Sequence, residues 1–258
     1  MSQKRHTEAD TTTAQTGYVL GLAPGDGVLT EAMIEAAAGT IVIYADIGCP
    51  WAHLSVYRLH EARADLGLKD EVVFEPRAFA LEIFNERPTP RAILDAEIPV
   101  AGGADPGAKW QIWQGPDSTW PVTTLPALEA VEAAKDQGAR AAEELDRALR
   151  IAFFGESKTI SMRHVILEVA RACSDVDAKL LAEAFDEGRA RSRVMQQVRV
   201  AESDDVKGSP HLFLADGTDF HNPGVDMSWE GPHGKGFPVI HHDDPSVYVD
   251  ILHRAVSI

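Results

Sequence analysis

The run Thr40-Ile41-Val42-Ile43-Tyr44-Ala45-Asp46 breaks off at Gly48-Cys49-Pro50, and this junction constrains the chain more than any other stretch. Its β-branched and aromatic residues predict a short buried strand. Directly after Pro50 the apolar spacing changes. Ala52, Val56, Leu59, Ala62 and Leu66 recur three or four apart, which makes one face of a helix. Gly67 stands where that helix should end. A second strand over residues 71–79 then completes a βαβ unit.

Beyond it, residues 85–126 are rich in Pro, Gly and Trp and read as a long loop, functional or folded over as a lid. Trp110, Trp113 and Trp120 fall in this stretch, either lining a groove or anchoring a core. Helical spacing returns over Ala139–Phe154, closed by Gly155, and continues over 161–173, 175–187 and 189–203. An apolar strand follows at 211–214. The turn Ala215-Asp216-Gly217 and a strand at 218–221 then suggest a hairpin. A last helix is expected over 245–255, with Asp244 as its cap and Pro245 in its first turn. Residues 1–16 are polar and read as a flexible tail. The cluster Pro24-Gly25-Asp26-Gly27 is a turn signal, since no Lys-Ser/Thr pair follows to make it a phosphate loop.

At 258 residues, 45% hydrophobic and 25% charged, the chain is of ordinary globular composition, long enough for one domain with a sizeable insertion. Its 40 acidic and 24 basic residues leave a formal charge of -16. Such a surface repels phosphate backbones and anionic lipid, and no Lys/Arg cluster offsets it. Nucleic acid and membrane are therefore not expected partners. No stretch approaches the ~20 apolar residues of a membrane span. The polar N-terminus lacks the apolar segment of a secretory signal, so a cytoplasmic location is expected. The two cysteines, Cys49 and Cys173, are expected to be reduced there.

Cys49 occupies the position with the most chemical content. Unpaired amides and the macrodipole at a helix N-terminus favour negative charge. A thiol there is expected to have a lowered pKa and to attack as the thiolate. Pro50 at the first helical position has no amide to leave unpaired. The competing reading is a small buried apolar residue in a strand-to-helix turn.

The order strand, Asp46-Ile47-Gly48-Cys49-Pro50-Trp51, helix, helical stretch, Gly208-Ser209-Pro210, strand resembles the DsbA-like branch of the thioredoxin superfamily. The nearest resemblance is to the FrnE-type dithiol-disulfide isomerases and the 2-hydroxychromene-2-carboxylate isomerases. It covers residues 40–256 and includes the helical stretch 139–160. It implies an α/β thioredoxin fold, βαβ…ββα, with a long, mostly helical insertion over the active-site face. Residues 17–84 and 204–258 would form the thioredoxin-like domain and 85–203 the loop and helical insertion. It also implies a cis Pro210 beside the attacking sulfur, with the Ser209 backbone offered to an extended substrate or a thiol. Pro50 and Trp51 would complete the substrate- and thiol-binding residues around Cys49.

The chain departs from the dithiol pattern in having Ala52 where a second cysteine would stand. Cys49 cannot resolve its own mixed disulfide as a Cys-x-x-Cys pair does. One expectation is therefore a thiol-disulfide oxidoreductase or isomerase completed by an external low-molecular-weight thiol, glutathione or mycothiol, with no tightly bound cofactor. A second is a thiol-dependent isomerase or transferase, like the 2-hydroxychromene-2-carboxylate isomerases or kappa-class glutathione transferases. The third is a degenerate binding protein. The expected partners are a protein disulfide or a small-molecule thiol substrate, with a second copy of the chain as a further candidate.

Several residues have two readings. Asp46 is a proton acceptor or a turn cap, and His53 and His211 modulate the thiol or are structural. Trp51 controls access or simply covers the surface. Cys173 is a distant resolving thiol or a buried apolar group. The cluster His241-His242-Asp243-Asp244, with His221 and His233 nearby, lacks zinc spacing and reads as a solvated loop, so no metal is expected.

Overall fold

Strand β1 (Thr40–Ala45) becomes a central strand because it is apolar on both faces. After it come α1 (Pro50–Asp65) and β2 (Val73–Ala78), which pairs with β1 in parallel, Ile41 opposite Phe74. The other edge of β1 pairs antiparallel with β3 (His211–Phe213), which carries β4 (Asp219–His221). The sheet order is β2-β1-β3-β4. The computed structural model describes residues 34–203, 205–232 and 235–257. Within it Ile34–Ile258 cluster as one compact unit. The expected tail at 1–16, the Pro24–Gly27 turn signal, residues 17–33 of the expected thioredoxin-like domain and His233 lie outside the described residues.

Between β2 and β3 the chain builds α2 (Leu81–Phe84), α3 (Arg91–Ala104), α4 (Leu125–Ala134), α5 (Ala139–Phe154), α6 (Arg163–Arg171), α7 (Ala178–Asp186) and α8 (Arg191–Ala201). After β4 come β5 (Val225–Glu230), β6 (Phe237–Asp243) and α9 (Val247–Val256). The α/β thioredoxin fold with a helical insertion is thus the architecture. No helix among the described residues is long and apolar enough to cross a membrane.

Side-chain alternation along β1 sorts the core. Ile41, Ile43 and Ala45 pack with Leu54, Leu59, Ile251 and Leu252 of α1 and α9. Val42 and Tyr44 join Phe213, Phe79 and Val206 on the other face. The helices after β2 have their own core, centred on Leu145, Leu149, Phe153 and Phe154 of α5. Helix α1 ends where expected, with Gly67 at φ 68°, a left-handed position that a Cβ would strain. At α7 the cap is a side chain: Asp177 Oδ1 accepts from the amides of Lys179 and Leu180 at 2.8 and 3.1 Å.

Three expectations are corrected. The stretch 85–126 is not one loop, because α3 forms inside it. Ile93, Leu94, Ile98 and Ala101 are buried, while Pro99 lies on the exposed side, where its missing amide leaves no buried group unpaired. Second, His241, His242 and Asp243 belong to β6, paired antiparallel with β5, rather than to a solvated loop. The reason is a period-two pattern in Val225, Met227 and Trp229, which alternate with exposed polar residues. Third, α9 starts at Val247 with Ser246 as N-cap. Asp244 instead ties the preceding turn, its Oδ1 accepting from the Ser246 amide at 3.0 Å.

The helical part is fastened to the sheet by buried charge. Arg63 of α1 donates to Glu143 of α5, and Glu143 Oε2 accepts the Phe74 amide of β2 at 3.1 Å. Arg150, 1% exposed, holds Asp146 through Nε and Nη2 at 2.8 and 3.0 Å. Its Nη1 donates to the main-chain carbonyl of Asp46 at 2.8 Å. Helix α5 therefore grips the turn that carries Cys49.

Candidate active site around Cys49

The end of β1, a tight turn and the start of α1 place Cys49 as the N-cap, with extended backbone, φ -88° and ψ 119°. Asp46 builds the turn. Its Oδ1 accepts the Gly48 amide at 2.7 Å, and its Oδ2 accepts the Leu81 amide at 2.8 Å and the Thr124 hydroxyl at 3.0 Å. A Cβ on Gly48 would lie 3.0 Å from Thr124 Cγ2, so glycine lets the segment before α4 close on this turn. From the other side comes the Gly208-Ser209-Pro210 segment, with the Ser209–Pro210 bond cis, as the resemblance implies. Ser209 Oγ accepts the Asp46 amide at 2.9 Å, and the Cys49 thiol donates to the Ser209 carbonyl at 3.2 Å. The Ser209 amide has no partner among the described residues, and Ser209 itself is half-buried.

The thiol is 4% exposed. Burial, and after it the Glu97 carboxylate, push its pKa up to about 11, against the hydrogen bonds from Ser209 and the Ala52 amide. This corrects the expected lowered pKa. The helix start does supply an amide, but removal from water and a facing carboxylate outweigh it. Cys49 rests as the thiol.

The neighbouring candidates separate by their partners. Pro50 and Trp51 are buried in the first turn of α1, and Trp51 Nε1 donates to Glu97 Oε1 at 3.1 Å. Burial raises the Asp46 pKa, although all three of its donors oppose that. Those donors give it the turn-capping role. His53 bonds through Nε2 to the Ala108 carbonyl at 2.8 Å and stacks on Phe154, ring centroids 4.8 Å apart. His211 Nδ1 accepts the Lys207 amide at 3.1 Å and its Nε2 meets Asp219 Oδ1 at 2.7 Å. Both imidazoles are thus built into the scaffold, and burial lowers the pKa of each, His53 to about 3.

The sequence reading missed Glu97. It sits on α3, within the stretch read as loop, and once helical spacing is run through Pro99 it falls beside Leu94, Ile98 and Ala101 on the inward side. A carboxylate on an apolar helix face is the signal that could have found it. Burial raises its pKa to about 7, opposed by the Trp51 hydrogen bond.

Trp113 packs against Trp120 and Phe153 of the helical core, and Trp110 sets an edge against His53, so Trp110 and Trp113 anchor cores while Trp120 also lines a cleft. A solvent-open cleft of about 330 Å³ borders the Asp46–Gly48 turn, walled by Leu94, Trp120, Thr124 and Phe153. Cys49 is not in its wall, so the cleft meets the thiol only through the turn. Cys173 is a free, buried thiol at the end of α6 whose Sγ donates to the Val169 carbonyl at 3.5 Å. It belongs to the helical core, whereas Cys49 belongs to the sheet core, so the structure does not bring the two together. No group of three or more His, Cys, Asp or Glu suited to a metal occurs among the described residues.

DsbM of Pseudomonas aeruginosa, a cytosolic disulfide reductase, superposes with a TM-score of 0.53 and 16% identity, over 84% of this chain and 95% of that one. Its structure with GSH gives a TM-score of 0.57 and 14% identity, over 85% and 100%. A probable DsbA oxidoreductase of Streptomyces coelicolor gives 0.57 and 18%, over 84% and 90%. At these identities the likeness is one of fold. Among curated protein sequences none matches the chain. The model of the DSBA-like thioredoxin domain matches residues 40–229, which takes in both the Cys49 turn and the cis-proline segment, and the chain belongs to that family.

Proposed function

We propose that the protein is a thiol-disulfide oxidoreductase or isomerase that works through a mixed disulfide at Cys49 and is completed by an external low-molecular-weight thiol. The observation that carries this reading is the Cys49 thiol lying 3.2 Å from the Ser209 carbonyl, beside a Ser209 amide with no partner among the described residues. An extended substrate that pairs with this backbone would bring its own sulfur to Sγ. Pro50, Trp51 and Pro210 form the apolar surround, and Asp46, His53 and His211 hold the scaffold. Ala52 leaves no second thiol in α1, so glutathione or mycothiol takes the resolving role. The Pseudomonas reductase of the same fold was solved with GSH, which makes glutathione the first probe.

The two free thiols fit a reducing setting. The charge of -16 speaks against nucleic acid or membrane as partner. One specific observation favours a second reading, a thiol-binding module without chemistry at Cys49: the thiol pKa lies above, not below, its ordinary value.

Reduction of a glutathionylated peptide, with reduced glutathione present, separates the two. The wild type should accelerate it and Cys49→Ala should fall to the uncatalysed rate. Equal rates would sink the redox reading.

A further inference from the structure

On the side of the Cys49 turn, the Gly208-Ser209-Pro210 segment is held by the two bonds of Ser209, to the Asp46 amide at 2.9 Å and the Cys49 thiol at 3.2 Å. Its other side is held from β3 and β4. The Asn222 amide, just past β4, donates to the Pro210 carbonyl at 3.0 Å. A Cβ on Gly208 would lie 2.7 Å from His221 Nε2, so glycine lets that ring close on the segment. At the head of the segment the Lys207 amide donates to His211 Nδ1 at 3.1 Å. One side chain thus closes residues 207–211 into a loop, with Ser209 midway between the two bonded residues.

That bond needs one form of the imidazole. Nδ1 accepts only while it carries no proton, so the ring must be neutral with its hydrogen on Nε2. Asp219 Oδ1 accepts from Nε2 at 2.7 Å and so selects this tautomer. The ring is 0% exposed, and burial lowers its pKa, which keeps it neutral. Facing it from the packed strands are Asp219 and His221 of β4, the two imidazole centroids 5.6 Å apart, and Tyr44 of β1, opposite His211 in the register. Lys207 Nζ pairs with the same Asp219 oxygen at 3.2 Å. The order Asp219, imidazole, Lys207 amide, Ser209 carbonyl, Cys49 thiol is therefore a continuous chain of bonds from the surface to the buried sulfur.

We propose that His211 is a positioning residue for the Cys49 site: through the Lys207 amide it sets the stance of the Ser209 main chain, and with it the bond from the Cys49 thiol to the Ser209 carbonyl. The same stance fixes where the Ser209 amide would meet a substrate backbone, a consequence that rests on the disulfide chemistry proposed above. A change at position 211 that removes the acceptor at Nδ1 releases the head of the segment, and the carbonyl moves away from the sulfur.

The test is the infrared S–H stretch of Cys49, isolated as the difference between each protein and its Cys49→Ala counterpart. A thiol that donates a hydrogen bond absorbs at lower frequency than a free one. Cys173, whose thiol donates to the Val169 carbonyl in the helical core, supplies a second band that should stay fixed throughout. His211→Asn places an amide oxygen near the position of Nδ1 and should leave the Cys49 band where it is. His211→Gln can still reach Asp219 but offers the Lys207 amide no acceptor at that point, and its Cys49 band should rise to the free-thiol frequency. Asp219→Ala, at an exposed position on β4, gives up control of the tautomer and should shift the band the same way. Asp219→Asn, whose oxygen still accepts from Nε2, should not. An unmoved Cys49 band in His211→Gln, or a shift in His211→Asn as large as in His211→Gln, overturns the assignment. Should His211→Gln fail to fold, equal band positions in Asp219→Ala and Asp219→Asn overturn it. The band is read on the resting protein without a disulfide substrate, so its outcome is separate from whether Cys49 forms a mixed disulfide.

Discussion

At position 53 an imidazole four residues from the thiol is withdrawn both from water and from the chemistry. His53 is 3% exposed, and burial holds its pKa at about 3, with Arg150 adding to the effect. In the unfolded chain it titrates near ~6.5. A folded value below the unfolded one means stability that is fully present above about pH 6.5 and is lost as pH falls toward about 3. His60 shifts in the same direction for the same first cause, burial. His53→Phe keeps the stack on Phe154 and removes one titrating group. Urea unfolding from pH 6 to about pH 4 should therefore show a shallower loss for the variant, by about 1.4 kcal/mol per pH unit. Parallel slopes would mean that His53 is protonated in the folded state. Cys49 teaches the complementary point. Its place at a strand-to-helix junction is legible in the sequence, but its protonation state is not. That depends first on burial and then on Glu97, 48 positions along the chain and brought in by a helix that the sequence hides.

Among the elements, α5 links the insertion to the site. Arg150 neutralises Asp146 within its own helix and reaches out to the Asp46 carbonyl, so one guanidinium serves the helix and the active-site turn. Arg150→Ala leaves Asp146 buried without its cation and should cost about 3–5 kcal/mol in urea unfolding. A loss under about 1 kcal/mol, the range of an exposed pair, would contradict the buried-network account. The α5 span Ala139–Phe154 is readable from its apolar spacing, as are α1 and the β3–β4 hairpin. Helix α3 is not, because Pro99 and the Gly102-Gly103 pair mark it as a breaker segment. In the fold that sequence is helical and packs on α1 and β6. The β5–β6 hairpin was hidden differently. Its alternation is short, and its histidines and aspartates imitate a polar loop.

At the scale of the whole molecule, two sequence segments about 160 residues apart close one site, and this is what places Cys49 Sγ on the Ser209 carbonyl. Both segments were legible because each carries a local signal, Cys-Pro at a helix start and Gly-Ser-Pro before a strand. Their meeting follows from β1 pairing with both β2 and β3. The missing second thiol was equally legible, since α1 carries Ala52 buried beneath its first turn. On the chemistry proposed for Cys49, with no second cysteine in α1, the reaction should stop at the mixed disulfide until a second thiol arrives. The most direct measurement is intact and peptide mass spectrometry of the protein after exposure to oxidised glutathione. The account predicts a single glutathionyl adduct on the Cys49 peptide, none on Cys173, and its release by reduced glutathione. An unmodified Cys49, or an adduct carried only by Cys173, would contradict it.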